Sequence, residues 1–274
     1  MPRIGWCTDI HLDWLERAQR QEFYKTLRDA RLDSLLIGGD IGLADTVVNL
    51  LAEIAGGVKI PIYFVLGNHD YYGGSISTVR KRVRGLAAAR RQLTYLTDGA
   101  VVLLSKNTAL VGHDSWADAR LGDFMGSEVV LNDYLLIEDL SVAGDLDELR
   151  SIDKPKLRAK LNALGDQAAR EIRAPLLKAL ATRNEVFVLT HVPPFREACC
   201  HGGGISTGEF LPHFASKAFG EPLLEAAAAH PGRNITVLCG HTHGGGFVQL
   251  RPNLRVWTGS ARYGSPVLQR VFEV

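Results

Sequence analysis

Short apolar runs rich in Val, Ile and Leu recur along the chain, and each stops at a glycine or a polar turn. They read RIGWCT at 3–8, SLLIGG at 34–39, IYFVLG at 62–67, AVVLLS at 100–105, TALVG at 108–112, EVFVLT at 185–190 and ITVLCG at 235–240. Runs of this length without alternating polar residues are the mark of strands buried on both faces. Three more, GGFVQL at 245–250, LRVWTG at 254–259 and PVLQRVFEV at 266–274, follow in hairpin-like succession.

Between the early runs the apolar spacing changes to three and four residues, which predicts helices over Leu15 to Ala30, Thr46 to Ala55 and Ser75 to Leu93. In the second, Val47, Leu50, Leu51 and Ile54 share a face; in the third, Val79, Val83 and Leu86 do. The arginines of RKRVR in that third helix are expected on its solvated faces. From Ser141 to Arg183 there is no strand character. Leu157, Leu161, Leu164, Ala168 and Ile172 predict a helix used as a packing layer, with Pro175 marking a kink or a second start. Strands alternating with helices, then strands in succession, predict an α/β fold with an antiparallel portion.

Composition narrows the class. The chain has 274 residues, 46% of them hydrophobic, and neither repeats nor a Pro/Ser-rich linker, so one domain over 1–274 is expected. The 31 Lys plus Arg nearly cancel the 30 Asp plus Glu, which gives no global field to collect nucleic acid or anionic lipid. The four cysteines lack CxxC spacing and are read as reduced, with Cys7 and Cys239 as small core residues. No signal peptide and no membrane-length apolar run is evident, so a cytoplasmic protein without a membrane partner is expected.

The chemistry lies just beyond the strands. Asp9 and His11 follow the first run, Asp40 the second, and Asn68, His69 and Asp70 the third; His191 follows EVFVLT, and His241 and His243 follow ITVLCG. In an open α/β sheet ligands bind beyond the carboxyl ends of strands, so these residues are expected to converge there. Any one of them alone reads as a turn former or helix cap. Five groups together point to metal. Carboxylate, amide and imidazole donors without thiolate suit Mn, Fe, Co, Ni or Zn, and seven ligand-type residues suffice for two ions sharing a carboxylate.

Taken in order, DIH at 9–11, GGD ending at Asp40, GNHD at 67–70, THVPP with His191 and GHTH at 240–243 resemble the calcineurin-like metallophosphoesterase superfamily. The resemblance implies a sandwich of two β-sheets flanked by helices (α/β/β/α). It also implies a binuclear centre of two divalent, or mixed iron and divalent, ions. One would be held by Asp9, His11, Asp40 and His243, the other by Asp40, Asn68, His191 and His241. A hydroxide bridging the ions would attack a small-molecule phosphoester, with His69 as acid for the leaving group, Asp70 orienting it, and Asn68 also near substrate. GNHD, and GGDIGLAD in place of a motif ending in DRG, depart from the protein-phosphatase pattern and argue against a phosphoprotein substrate.

Other residues are more ambiguous. His113 and Arg120 follow a strand and are candidates to meet substrate, or else belong to a loop that packs Trp116 and caps a helix with Asp114. The segment 196–210, which follows His191 and should overhang the site, is read as a mobile rim, with His201 or Cys200 as the alternative contact to substrate or an adventitious metal, and His213 and His230 as ordinary surface or packing residues. Two competing readings are a non-catalytic scaffold that binds protein, which would have lost ligands or acid, and a nuclease, which would carry a basic aromatic track.

Overall fold

The computed structural model describes residues 1–141 and 152–274. In chain order the first part comprises strand β1 (Arg3–Cys7), helix α1 (Arg17–Asp29), β2 (Ser34–Gly38), α2 (Val47–Val58), β3 (Ile62–Val65), α3 (Ile76–Ala89) and β4 (Leu93–Tyr95). Then come β5 (Val102–Leu103), β6 (Thr108–His113), α4 (Asp133–Leu136), the long α5 (Lys154–Thr182) and β7 (Glu185–Thr190). The last part contains a small hairpin of β8 (Cys200–His201) and β9 (Gly204–Ile205), followed by α6 (Leu211–Phe214), α7 (Lys217–Ala229) and β10 (Asn234–Cys239). Strands β11 (Gly246–Arg251), β12 (Leu254–Thr258) and β13 (Arg270–Glu273) complete it.

Two sheets form, ordered β13-β1-β2-β3-β4 and β11-β12-β10-β7-β6-β5. Strands β1 to β4 run parallel, as do β6, β7, β10 and β12, while β13, β11 and β5 add antiparallel edges. The two-residue side-chain period of a strand explains the layering. Leu35 and Ile37 of β2 turn outward into a core shared with α1 to α3, whereas Leu36 between them packs with Trp6, Phe187, Leu189 and Leu238 between the sheets. Val186 and Val188 of β7 turn the other way, toward α5 and α7. The result is the expected order of helices, sheet, sheet, helices.

The structure shortens or extends several predicted elements. The run at 100–105 contributes only the two-residue edge strand β5, since Leu103 is largely exposed. Leu93, placed at the end of a helix by its spacing, opens β4 instead. Pro175 neither kinks the chain into two helices nor starts a second, because α5 runs through it with Ile172, Pro175, Leu176 and Ala179 all buried against the second sheet. The part of the predicted 141–183 helical segment that covers 142–151 lies outside the described residues. Cys7 and Cys239 sit in the two outer cores, and burial pushes the Cys7 thiol up to about 12. Among the described residues no helix is long and apolar enough to cross a membrane.

Candidate metal centre

The parallel strands deliver their C-terminal ends to one edge of the sandwich. Neighbouring strands β1, β2 and β3 of one sheet and β7 and β10 of the other are followed directly by the Asp, Asn and His residues singled out above. Five of these residues take left-handed backbone: Asp9 (φ 52°), His11 (38°), Asp40 (52°), His241 (70°) and His243 (57°). Such conformations cost a non-glycine residue about 1–3 kcal/mol each and persist only where surrounding bonds impose them. Those bonds are visible. The Asp9 amide donates to the Gly39 carbonyl at 3.0 Å, the His11 amide to the Asp40 carbonyl at 2.9 Å, and the His241 amide to Asp9 Oδ1 at 2.9 Å. Each turn is thus locked to another turn of the same site.

The glycines that precede these residues have a steric purpose. A Cβ on Gly67 would collide with Asp40 Oδ1, and one on Gly240 with the Asp9 carboxylate and the Thr8 hydroxyl. Only bare backbone lets the loops approach this closely.

Asp9, His11, Asp40 and His243 each present a ligand atom, and those atoms lie within 4.8 Å of one another. A second group adjoins it. Asn68 Oδ1 lies 3.0 Å from His191 Nε2 and 2.9 Å from His241 Nδ1, and His191 Nε2 lies 3.4 Å from Asp40 Oδ1. Asp40 turns its other oxygen, Oδ2, toward His11 Nε2 at 3.8 Å. One carboxylate therefore faces both groups.

The hydrogen bonds at the back of each ring identify which atoms point inward. His191 Nδ1 donates to the Gly38 carbonyl at 2.8 Å and His241 Nε2 to the His213 carbonyl at 3.1 Å. The opposite nitrogen of each ring is left with a lone pair. Asn68 is fixed similarly, because its Nδ2 donates to Asp133 Oδ1 at 2.8 Å and to the Tyr72 hydroxyl at 3.1 Å, leaving Oδ1 as the inward atom. His191 Nε2, His241 Nδ1, Asn68 Oδ1 and Asp40 Oδ1 thus form a ring of acceptors without a donor among them. In the first group, His11 Nε2 and His243 Nε2 face each other at 3.3 Å, and His11 Nδ1 is buried without a partner. Lone pairs so arranged repel one another unless a cation lies between them, and this donor set fits divalent cations.

Electrostatics point the same way. Burial, with the Asp9 and Asp70 carboxylates, raises Asp40 well above the usual carboxylate range. Burial also resists ionisation of Asp9, but His191, His243 and His11 outweigh it and hold the group low. Burial lowers His11 to about 3 and His241 to about 4, so both imidazoles are neutral, the form that binds metal.

His69 stands at the edge of this cluster, with Nε2 4.0 Å from Asp40 Oδ2 and its ring 4.3 Å from that of Tyr72. It lines a cavity of about 260 Å³ together with Asp40, Asn68, Tyr72, His241 and Tyr263. Asp70 takes a different position from the one expected. Its Oδ1 accepts from the Ile41 and Gly42 amides and its Oδ2 from the Gly67 amide, each at 2.8 Å, so it ties the Asp40 loop to the Asn68 loop rather than holding the His69 ring.

His113 and Arg120, candidates either to meet substrate or to belong to a packing loop, are engaged elsewhere and do not line the cavity. His113 Nε2 pairs with Glu171 on α5 at 2.7 Å, and its Nδ1 accepts the Ser115 amide. Arg120 divides its guanidinium between Asp118 at 3.1 Å and Asp166 at 2.8 Å. Asn68 has no donor left for substrate, since both its amide contacts are internal.

Some participants were not legible in the sequence. Asp133, which orients Asn68 and accepts from Tyr72 at 2.6 Å, lies in LNDYLL with no strand before it. His213, read as packing, is buried and lends its carbonyl to His241. Tyr72 could have been suspected, because it directly follows GNHDY. The 196–210 segment, expected to overhang the site, carries a short hairpin that brings His201 to the cavity, where Nδ1 donates to the Thr242 carbonyl at 3.1 Å.

Comparison with known proteins agrees with this architecture. No curated protein is detectably similar in sequence to the chain. In structure it is similar to a phosphopantetheinyl hydrolase from Mycobacterium tuberculosis, with a TM-score of 0.65 at 14% identity over 96% of this chain and 90% of that one. It is similar also to a dimetal phosphatase from Danio rerio, with a TM-score of 0.56 at 14% identity over 97% and 89% of the two chains. The calcineurin-like phosphoesterase family model matches residues 2–245. With that match over a scaffold that gathers a buried Asp and His cluster, the chain belongs to the calcineurin-like phosphoesterase family and is a metal-dependent hydrolase.

Proposed function

We propose that the protein hydrolyses a small-molecule phosphoester at a binuclear centre. In this reading Asp9, His11, Asp40 and His243 hold one divalent cation, Asp40, Asn68, His191 and His241 hold a second, and His69 protonates the leaving group. The observation that carries it is the double facing of Asp40, with Oδ1 toward His191 at 3.4 Å and Oδ2 toward His11 at 3.8 Å. Two bound cations would supply charge neutralisation at the phosphoryl oxygens and a water acidified to near neutrality.

The chain's own residues contribute orientation and proton transfer. Gly38 and His213 carbonyls fix the tautomers of His191 and His241, and Asp133 fixes the Asn68 amide, so every inward atom is an acceptor before substrate arrives. Asp70 holds two loops in register through three backbone amides. His69, mostly buried, is lowered to about 4 by burial and by the His191 imidazole. It therefore enters neutral, takes up a proton from solvent when an anionic phosphoryl group comes beside it, and gives that proton to the departing alkoxide, which leaves as the alcohol. The full complement of donors and of His69 favours an enzyme over a scaffold.

The test is leaving-group dependence. His69→Ala is expected to lower turnover of alkyl phosphoesters by ~10²-fold or more and of activated aryl esters far less, because an activated phenolate leaves without a proton. Equal loss on both classes would contradict the acid role.

A further inference from the structure

Beside the cluster, outside the motifs that built it, two exposed aromatic side chains adjoin each other: Tyr263, which lines the cavity, and Trp14, which packs against Tyr263. Trp14, on the turn after β1, is 60% exposed, and Tyr263, on the loop between β12 and β13, is 44% exposed. Their rings lie 4.7 Å apart at 34°. Tyr263 continues inward: its ring is 4.5 Å from His11, 5.1 Å from His243 and 6.1 Å from His69. A stepped face of rings thus leads from the cluster, past His69, to open solvent at Trp14.

Tyr263 presents a ring face and a phenolic hydroxyl beside these imidazoles. Both aromatics lie outside the three main buried clusters. Trp14 also comes from a different part of the chain than Tyr263, and the two meet here.

We propose that Trp14 and Tyr263 form a stacking shelf that selects phosphoesters whose organic part carries a planar aromatic ring one spacer away from phosphorus, as a nucleobase stands beyond its ribose. This rests on the phosphoesterase reading above and adds the substrate class. A phosphoryl group at the Asp40 cluster would leave a directly attached ring against Tyr263, short of Trp14, whereas a ring beyond a sugar reaches the outer step. Stacking of a base on an aromatic side chain strengthens binding roughly 5- to 150-fold.

The experiment compares adenosine 5′-monophosphate, phenyl phosphate and glycerol 3-phosphate with the Mn²⁺-loaded wild type, Trp14→Ala and Trp14→Phe. The ratio of kcat/KM for the nucleotide over that for glycerol phosphate is expected to fall about tenfold in Trp14→Ala, with phenyl phosphate affected much less, and to recover largely in Trp14→Phe, which keeps a ring. Saturable quenching of intrinsic fluorescence by the nucleotide is expected in the wild type and not in Trp14→Ala, a readout that needs no turnover. An unchanged ratio with all esters hydrolysed would overturn the shelf and leave the hydrolase standing. Equal sensitivity of phenyl phosphate would overturn the spacer. No turnover of any of the three by the wild type would count against monoester hydrolysis, and the quenching would then decide the shelf: its absence in the wild type, or its persistence in Trp14→Ala, counts against it.

Discussion

Two buried aspartates, both just beyond strand ends, are treated in opposite ways by this fold. Asp114 follows β6 and is saturated. Its Oδ1 accepts the Leu66 amide and the Thr97 hydroxyl, each at 2.7 Å, and its Oδ2 accepts the Tyr71 hydroxyl at 2.7 Å, the Tyr95 hydroxyl and the Arg80 guanidinium at 3.0 Å. Although burial works against ionisation, Arg80 and His113 outweigh it and hold Asp114 below the usual carboxylate range. Asp40 follows β2 and receives one backbone amide, from His69 at 3.0 Å, while imidazole nitrogens crowd its remaining lone pairs. Its pKa is raised, first by burial. A carboxylate that the fold has satisfied is structural; one that the fold has surrounded with other acceptors is waiting for a cation.

That contrast yields predictions of decreasing size. Asp40→Ala should remove the shared ligand and lower turnover by at least ~10³-fold, an expectation set by the 10⁶-fold or larger accelerations of enzymes, while circular dichroism and thermal unfolding show a folded protein. Asp114→Ala should do the reverse. Breaking a buried pair costs about 3–5 kcal/mol, so denaturant unfolding should show a large loss of stability, with cation stoichiometry retained by whatever fraction stays folded. If Asp114→Ala leaves stability unchanged, the two aspartates do not differ as described.

Cations should stabilise the protein through the Asp40 side of the comparison. At a free concentration 100 times Kd, a single site adds about 2.7 kcal/mol, so Mn²⁺ should raise the unfolding midpoint and EDTA should reverse the rise. Asp133→Asn, which weakens the hold on Asn68, should lower cation affinity roughly 10- to 100-fold, read by calorimetric titration. The smallest effect is in acid. Because the folded pKa of Asp114 is depressed, its contribution to stability is complete above the unfolded carboxylate value and is lost as pH falls through the folded one. Wild type should therefore lose stability below about pH 4, and Asp114→Asn should flatten that part of the profile; an unchanged slope would refute the assignment.

The same contrast explains what the sequence could reveal. The seven donors were legible because each ends a buried apolar run or sits in a compact motif, and the parallel sheets bring strand ends together by rule. The Asp114 network was not. Arg80, read as part of a solvated basic face, inserts into the core to meet a carboxylate 34 residues away, and no local pattern encodes a partner at that distance. His113 and Arg120 misled for a related reason: they follow a strand as the donors do, but Glu171 and Asp166 on α5 claim them, with Asp118, two residues before Arg120, sharing its guanidinium. Asp133 and Tyr263 lie on connections whose paths depend on tertiary packing.

The central claim is that one carboxylate serves two adjacent cation positions, and it is tested most directly by counting ions. Wild-type protein reconstituted with Mn²⁺ and freed of excess metal should carry two ions per chain by elemental analysis, and Asp40→Ala, handled identically, should carry neither. Two ions retained by a folded Asp40→Ala protein, or none bound by the wild type, would contradict the account.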